Sequence, residues 1–495
     1  MTGALMRYLD DDVVNLRRAD GSQGQYYWGD RCNVLSTEGS RMRVEILGAR
    51  GKIDEGFIRA ETRLRDTGLL RLSMVDVQQG DGLILETPEG KVIFIDGGDN
   101  QLFARHANAR FPNTSDTDPL VVDLILITHG DADHFEGLVE LRKSETDSRP
   151  NKRIFIAPRR VYHNGIVKRS SEDGDQKRRK DTELLGQTVA VDERVFIVGL
   201  VDDQAAVPRE ERNRPFNKWV DTLAAWEGRV QTVTGNGIER RRIDHLSAGA
   251  FDFLQDESIA VDILGPIVET VGGQPALRFL RSPPDDANLM LGTVAASGQG
   301  AYSASHTING HSINFRLRFG NVRFMFTGDM NQEASQRLRE ALPSAALRSE
   351  ILKAPHHGSA DFDMEFLKEI GAVVSLISSG DESEAKEYIH PRATLMAALG
   401  KAARTTPAII FCTELAAFFK TLGYVQDPTD ASKKVFAFER TNFGISHVRT
   451  DGERVLAFTH SGKRFMNEAY RFNVSPTGDV VFQKSVVKRS APAAP

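Results

Sequence analysis

A chain of 495 residues, 40% hydrophobic and 26% charged, has the composition of an ordinary globular protein, long enough to bury a sizeable core in one large domain with appendages or in two domains. Its formal net charge of −5 excludes a global attraction to phosphate polymers or acidic membranes, so any nucleic-acid contact has to come from a local patch. Two cysteines, Cys32 and Cys412, exclude a disulfide framework and fit a reducing compartment, and no apolar run approaches the roughly 20 residues of a membrane span.

Residues 1–10 lack a basic segment followed by an apolar core, so a cytoplasmic protein with no membrane partner is expected. Residues 1–68 form a small β-rich domain with weak helical periodicity. Within it, Val14-Asn15-Leu16-Arg17, Trp28-Gly29-Asp30 and Glu55-Gly56-Phe57-Ile58-Arg59 resemble the opening, central turn and closing strand of bacterial Src-homology-3-like barrels; a plain β-rich cap fits the same residues.

From Leu69 the pattern changes to strong strands. Leu70-Arg71-Leu72-Ser73-Met74 alternates, and 82–87 and 91–96 are joined by the turn Pro88-Glu89-Gly90, which predicts a meander. Gly97-Gly98 allows a tight turn beside Asp96. The apolar run 121–127 predicts a buried strand, and it delivers Thr128-His129-Gly130-Asp131-Ala132-Asp133-His134, four metal-competent side chains in six residues. Extended backbone there would put His129, Asp131 and Asp133 on one face. A helix is predicted to follow from Phe135.

The region 155–300 is the least informative. Its basic runs, Lys177-Arg178-Arg179-Lys180 and Arg240-Arg241-Arg242, read as solvated faces in preference to a phosphate-binding patch. Strand texture returns at 259–264 before Gly265-Pro266. A hairpin, 312–319 and 322–326, then ends at Thr327-Gly328-Asp329, and the strand 350–354 ends at Pro355-His356-His357-Gly358-Ser359. His390-Pro391 lies beyond the strand 373–377. Candidate ligands therefore recur at successive strand ends: His129, Asp131, Asp133, His134, Asp329, His356, His357 and His390. A mixed His/Asp set without cysteine suits zinc or manganese. Two ions sharing a carboxylate suit hydrolysis, because a bridging water becomes hydroxide near neutral pH.

In type and order, His129-x-Asp131-x-Asp133-His134, Leu264-Gly265-Pro266, Asn309-x-x-Ser312, Phe326-Thr327-Gly328-Asp329, Pro355-His356-His357-Gly358-Ser359 and His390-Pro391 resemble the metallo-β-lactamase superfamily in its His-x-Asp-x-Asp-His form, the ComEC-like hydrolase branch of bacterial DNA uptake. The resemblance spans residues 69–460. It implies an α/β (α+β) fold, the αββα metallo-β-lactamase sandwich, with a long insertion at about 155–300 and an extension over 461–495. It also implies two divalent metal ions as cofactors, with His129 and Asp131 on one and Asp133 and His134 on the other. Asp329 would bridge them, joined by one of the His356–His357 pair, His357 preferred, and by His390. Asp133 and Asp329 would be catalytic, Asp133 steadying the attacking hydroxide. His311 mimics a ligand of other branches and is assigned a structural role in preference. The function implied is a two-metal hydrolase of phosphodiester bonds, with a DNA-directed nuclease favoured. The alternatives are a small-molecule or cyclic-nucleotide phosphodiesterase, or a partner-binding regulatory protein with a structural metal site. A protein partner would dock through residues 1–68 or the insertion.

Overall fold

Strand residues that alternate between two apolar faces need cover on both sides, and the chain supplies it with two stacked sheets and two outer helical layers. The computed structural model describes residues 6–48, 53–282, 300–380, 390–414, 419–426, 430, 432–440, 444–460 and 468–483; residues 484–495, the end of the extension expected from sequence, lie outside them. The first sheet has ten strands in the spatial order Glu239–Arg242, Arg160–His163, Leu124–Leu126, Val92–Asp96, Gly82–Glu86, Leu70–Met74, Ile445–Thr450, Arg454–His460, Glu468–Val474 and Val480–Phe482. The second has six: Ile259–Gly265, Asn314–Phe319, Val322–Phe326, Ile351–Lys353, Val374–Ile377 and Ile409–Cys412.

Period-two alternation sends Leu83, Leu85, Ile93, Ile95, Leu124 and Leu126 inward, against Phe315, Phe324, Phe326, Ile351 and Leu376 of the facing sheet. The intervening Ile84, Phe94 and Ile125 face outward, beneath the helices Leu102–Arg110, Ala132–Ser144 and Arg214–Thr234. Met325 and Leu352 do the same under Gln332–Ala341, Met364–Ile370 and Ala393–Ala402. The αββα architecture implied by the motifs is present.

Residues 7–65 form a separate seven-stranded antiparallel sheet with its own core of Leu9, Val14, Leu16, Val44, Ile46 and Ile58. It docks through Trp28, which packs with Leu69 against Leu456 and Phe458. The ion pairs Arg449–Asp30 (2.9 Å), Arg454–Asp10 (2.7 Å) and Arg65–Asp451 (3.1 Å) surround that contact.

One expectation changes. The run 121–127 is two strands: Leu120–Val122 pairs with Ile156–Pro158, while Leu124–Leu126 enters the large sheet. Asp123 stands between them because its carboxylate accepts the Val92 amide at 3.0 Å. Within 155–300, Arg160–His163 and Glu239–Arg242 extend the first sheet and Ile259–Gly265 edges the second. Near the C-terminus, Glu468–Val474 and Val480–Phe482 continue the first sheet.

Candidate metal centre

The parallel strands of both sheets end at one edge, where loops at carboxyl ends converge. His129 follows Leu124–Leu126. The helix then starts at Ala132, so Asp133 and His134 sit in its first turn, and the extended alternation expected through Asp133 stops short. What ends it is docking: the Gly97 amide donates to the His134 carbonyl at 2.7 Å, and a Cβ on Gly137 would lie 1.9 Å from the Gly97 oxygen. From the second sheet, Asp329 follows Val322–Phe326, and His356 and His357 follow Ile351–Lys353 with φ of 45° and 51°, the left-handed region.

Four overlapping donor sets, each with its ligand atoms within 4.8 Å of one another, come together here: His129, His134 and Asp329; Asp133, His134 and His357; Asp81, Asp329 and His357; Asp81, Asp96 and His134. His357 Nε2 lies 2.9 Å from Asp329 and 3.8 Å from Asp133, and His134 Nε2 lies 3.3 Å from Asp329. The donors fit a divalent ion on an observation independent of motif. His129 is 1% exposed, its Nδ1 faces the hydroxyls of Thr128 (3.2 Å) and Ser312 (3.3 Å), and its Nε2, inside the donor set, has no hydrogen-bond partner.

Electrostatics divide the histidines. Burial, with His134 adjacent, holds His129 well below the ordinary histidine pKa, hence neutral as a ligand must be. Burial also works against protonating His134 and His357, but Asp329 with Asp96 raises the first well above its ordinary value, and Asp329 with Asp81 raises the second to about 10. Asp329 resists its own burial through His357, His134 and His356, and its pKa lies well below the usual carboxylate range. The ring positions are therefore places where positive charge is already favoured.

The remaining sequence candidates are placed around this cluster. Asp131, at the helix N-cap, is paired with Lys168 at 2.7 Å. His356 lies 3.9 Å from Asp329 and 3.4 Å from Asn309 Nδ2, and His390 has its ring 5.9 Å from that of His356. Among the described residues, these three stand outside the four donor sets, and all three line the same cavity. His311 is buried and donates from Nε2 to the Arg278 carbonyl at 2.7 Å, a structural contact. Arg240 of the basic run 240–242 is spent on Asp203 and Glu227.

Sequence reasoning passed over three charged residues. Asp96 accepts from the Thr128 amide (2.8 Å) and hydroxyl (2.6 Å) and from His134 Nδ1 (2.8 Å), which turns His134 Nε2 towards Asp329. Asp81 and Lys353 form a buried ion pair beside Asp329. The signal for Asp96 was the one used for Asp329, an aspartate closing a strand. For Lys353 it was a lone charge in the apolar run Ile351-Leu352-Lys353-Ala354.

The cavity over the cluster measures about 500 Å3 and is lined by Gln78, Asn100, Arg105, Asp133, Asn309 and His390 among others. No protein-family model matches the chain, and no curated protein matches it. Solved structures do. The metallo-beta-lactamase fold protein YhfI from Bacillus subtilis is 7% identical with a TM-score of 0.30, over 69% of this chain and 96% of that one. Igni18, a metallo hydrolase from the archaeon Ignicoccus hospitalis, is 11% identical with a TM-score of 0.25, over 63% and 82%. A mutant form of CmlA beta-hydroxylase is 11% identical with a TM-score of 0.28, over 71% and 54%. These superpositions are shallow, and the fold class rests on the facing sheets, their helical covers and the ligand-type residues at one edge.

Proposed function

We propose that the chain is a cytoplasmic, two-metal hydrolase of phosphodiester bonds from the ComEC-like branch, with DNA as the favoured substrate. The observation that carries this reading is the buried His/Asp cluster beneath a cavity lined by Asp133, Asp329 and His357, with His129 Nε2 buried and without a hydrogen-bond partner. His129, His134 and Asp329 would hold one ion and Asp133, His357 and the shared Asp329 a second, with Asp131, His356 and His390 lining the same cavity. When bound, zinc or manganese ions supply Lewis acidity to water and to phosphoryl oxygens. Asp133 lines the cavity from a helix start and is the carboxylate that would orient the attacking water and take its proton. Arg105 and the Asn309 amide at the cavity wall are the groups that would orient the phosphodiester. Asp96 keeps the His134 ring aimed by its hold on Nδ1. No helix among the described residues is long and apolar enough to cross a membrane, and Cys32 and Cys412 are free, which supports the cytoplasmic assignment.

A small phosphodiester, such as a cyclic nucleotide, is the second reading. It is favoured by the cavity volume of about 500 Å3 and by Arg105 being the one arginine or lysine among the described residues that line it. The test is turnover by purified protein loaded with zinc or manganese on linear and circular DNA, RNA, cyclic nucleotides and a generic phosphodiester, with chelated controls. Asp133→Ala and Asp329→Asn should abolish cleavage while leaving the fold intact; undiminished activity in those variants would sink the proposal. Two bound ions with no turnover on any substrate would leave the partner-binding reading instead.

A further inference from the structure

Lys353 is 2% exposed and Asp81 1% exposed, and they are paired to each other at the floor of the cluster. A buried ion pair is a poor way to gain stability, because desolvating both charges cancels most of their attraction. Its place in the fold suggests what else it does. The Lys353 ammonium ends the strand Ile351–Lys353, donates to the Gly328 carbonyl at 2.8 Å, and lies 3.7 Å from Asp329 Oδ1, so it also braces the loop that carries Asp329. Asp81 is held from its backbone side: its carbonyl accepts the Gly98 amide at 2.7 Å, and the neighbouring Gly80 carbonyl accepts the Ser378 hydroxyl at 2.7 Å.

Asp81 Oδ2 faces Lys353, and Oδ1 faces His357 Nδ1 at 3.4 Å. Both of the latter atoms are buried and neither makes a hydrogen bond elsewhere, so closing by a few tenths of an ångström satisfies both at once. With Nδ1 committed there, His357 Nε2 points at Asp329 and Asp133. The arrangement repeats the Asp96–His134 contact on the other side of the cluster, where a carboxylate on Nδ1 likewise aims Nε2.

We propose that Asp81 and Lys353 are a positioning pair for the metal centre, in which Asp81 fixes the His357 ring through Nδ1 and Lys353 fixes Asp81. The proposal rests on the metal centre argued above and adds the residues that decide how tightly its His357 side holds an ion. Removing one charge alone strands the other, so the decisive variants remove both. Asp81→Leu with Lys353→Met takes away the acceptor for Nδ1. Asp81→Asn with Lys353→Met keeps a side-chain oxygen of the same shape and reach.

Zinc and manganese affinities are measured by competition with a chelating indicator, alongside circular dichroism for folding. The leucine pair should bind roughly 10- to 100-fold more weakly than wild type, the range for losing a carboxylate behind a ligating histidine, and the asparagine pair should recover most of that loss. A folded leucine pair that binds like wild type overturns the proposal, and so do two variants weakened equally, the mark of a merely structural pair. Histidine-selective 15N NMR on the metal-loaded wild type needs no variant: His357 protonated at Nδ1 supports the proposal, and protonation at Nε2 overturns it. Wild type that binds no ion removes the centre and the pair together. Wild type that binds ions without cleaving phosphodiesters removes only the assigned reaction.

Discussion

Among single residues, what separates the ligand candidates is how much each must give up to bind. His129 gives up nothing, because its Nδ1 already faces two hydroxyls and its Nε2 has no partner. Asp131 must leave Lys168, which holds it at 2.7 Å. His129→Ala should therefore cost about 100-fold or more in metal affinity, beyond what loss of a supporting carboxylate costs, whereas Asp131→Asn should cost less than about 10-fold. Equal losses in an ion-competition assay would contradict the ranking. Gly80 gives a second prediction at this scale. Its φ of 91° suits glycine, and a Cβ there would lie 1.6 Å from the Asp133 carbonyl oxygen, a backbone atom that cannot step aside without moving the helix start. Gly80→Ala should destabilise the protein by about 3 kcal/mol or more in denaturant melts and displace Asp133, lowering metal affinity with it. A variant with wild-type melting and binding would show that the loop is not clamped as described.

Between elements, the contact most open to test is the docking of the seven-stranded N-terminal sheet on the sandwich. Burial works against ionising Asp10, Asp30 and Asp451, but Arg454 outweighs it for the first and last, as do Arg449 and Arg71 for Asp30, so all three carboxyls lie below their ordinary pKa. A carboxyl lowered in the folded state contributes stability above its unfolded pKa, about 3.9 for aspartate, and loses it as pH falls through the folded value. Hydrogen-exchange protection of strands 7–65 should hold from neutral pH down to about 4 and fall below it, ahead of the sandwich core. Loss of protection that starts in the core would reject this. The same scale shows what sequence could and could not reveal. His129, Asp133, His134, Asp329 and His357 were legible because each sits in a motif beside a strand of clear alternation. Asp96 and Lys353 were not, since their roles depend on partners 38 and 24 residues away, His134 and Asp329, whose proximity only the sheet pairing creates. The strand Glu239–Arg242 at the edge of the first sheet was hidden in the sequence, because an arginine-rich edge strand has the composition of a loop.

For the whole molecule, the cluster is a seam. His129, Asp133 and His134 come from the first sheet and its helix, while Asp329 and His357 come from loops of the second, so an ion held by both sets ties the two halves of the sandwich at one edge. The acidic side of that seam needs positive charge in any case: Asp329 is buried at 2% exposure amid imidazoles whose protons substitute for cations. Binding that is specific to the folded state stabilises it by mass action, about 2.7 kcal/mol for each site at 100 times its Kd. Zinc or manganese should therefore raise Tm in a concentration-dependent way, and chelation should reverse the gain. The protection lost on chelation should concentrate at residues 128–134 and 327–329, leaving strands 7–65 unchanged because they dock on Leu456 and Phe458, which belong to none of the donor sets. Asp329→Asn should melt at the same temperature with and without metal, since the carboxylate that joins the halves is gone. A wild-type Tm indifferent to metal and chelator, or a metal response that survives in Asp329→Asn, would show that the two halves are not joined through this cluster.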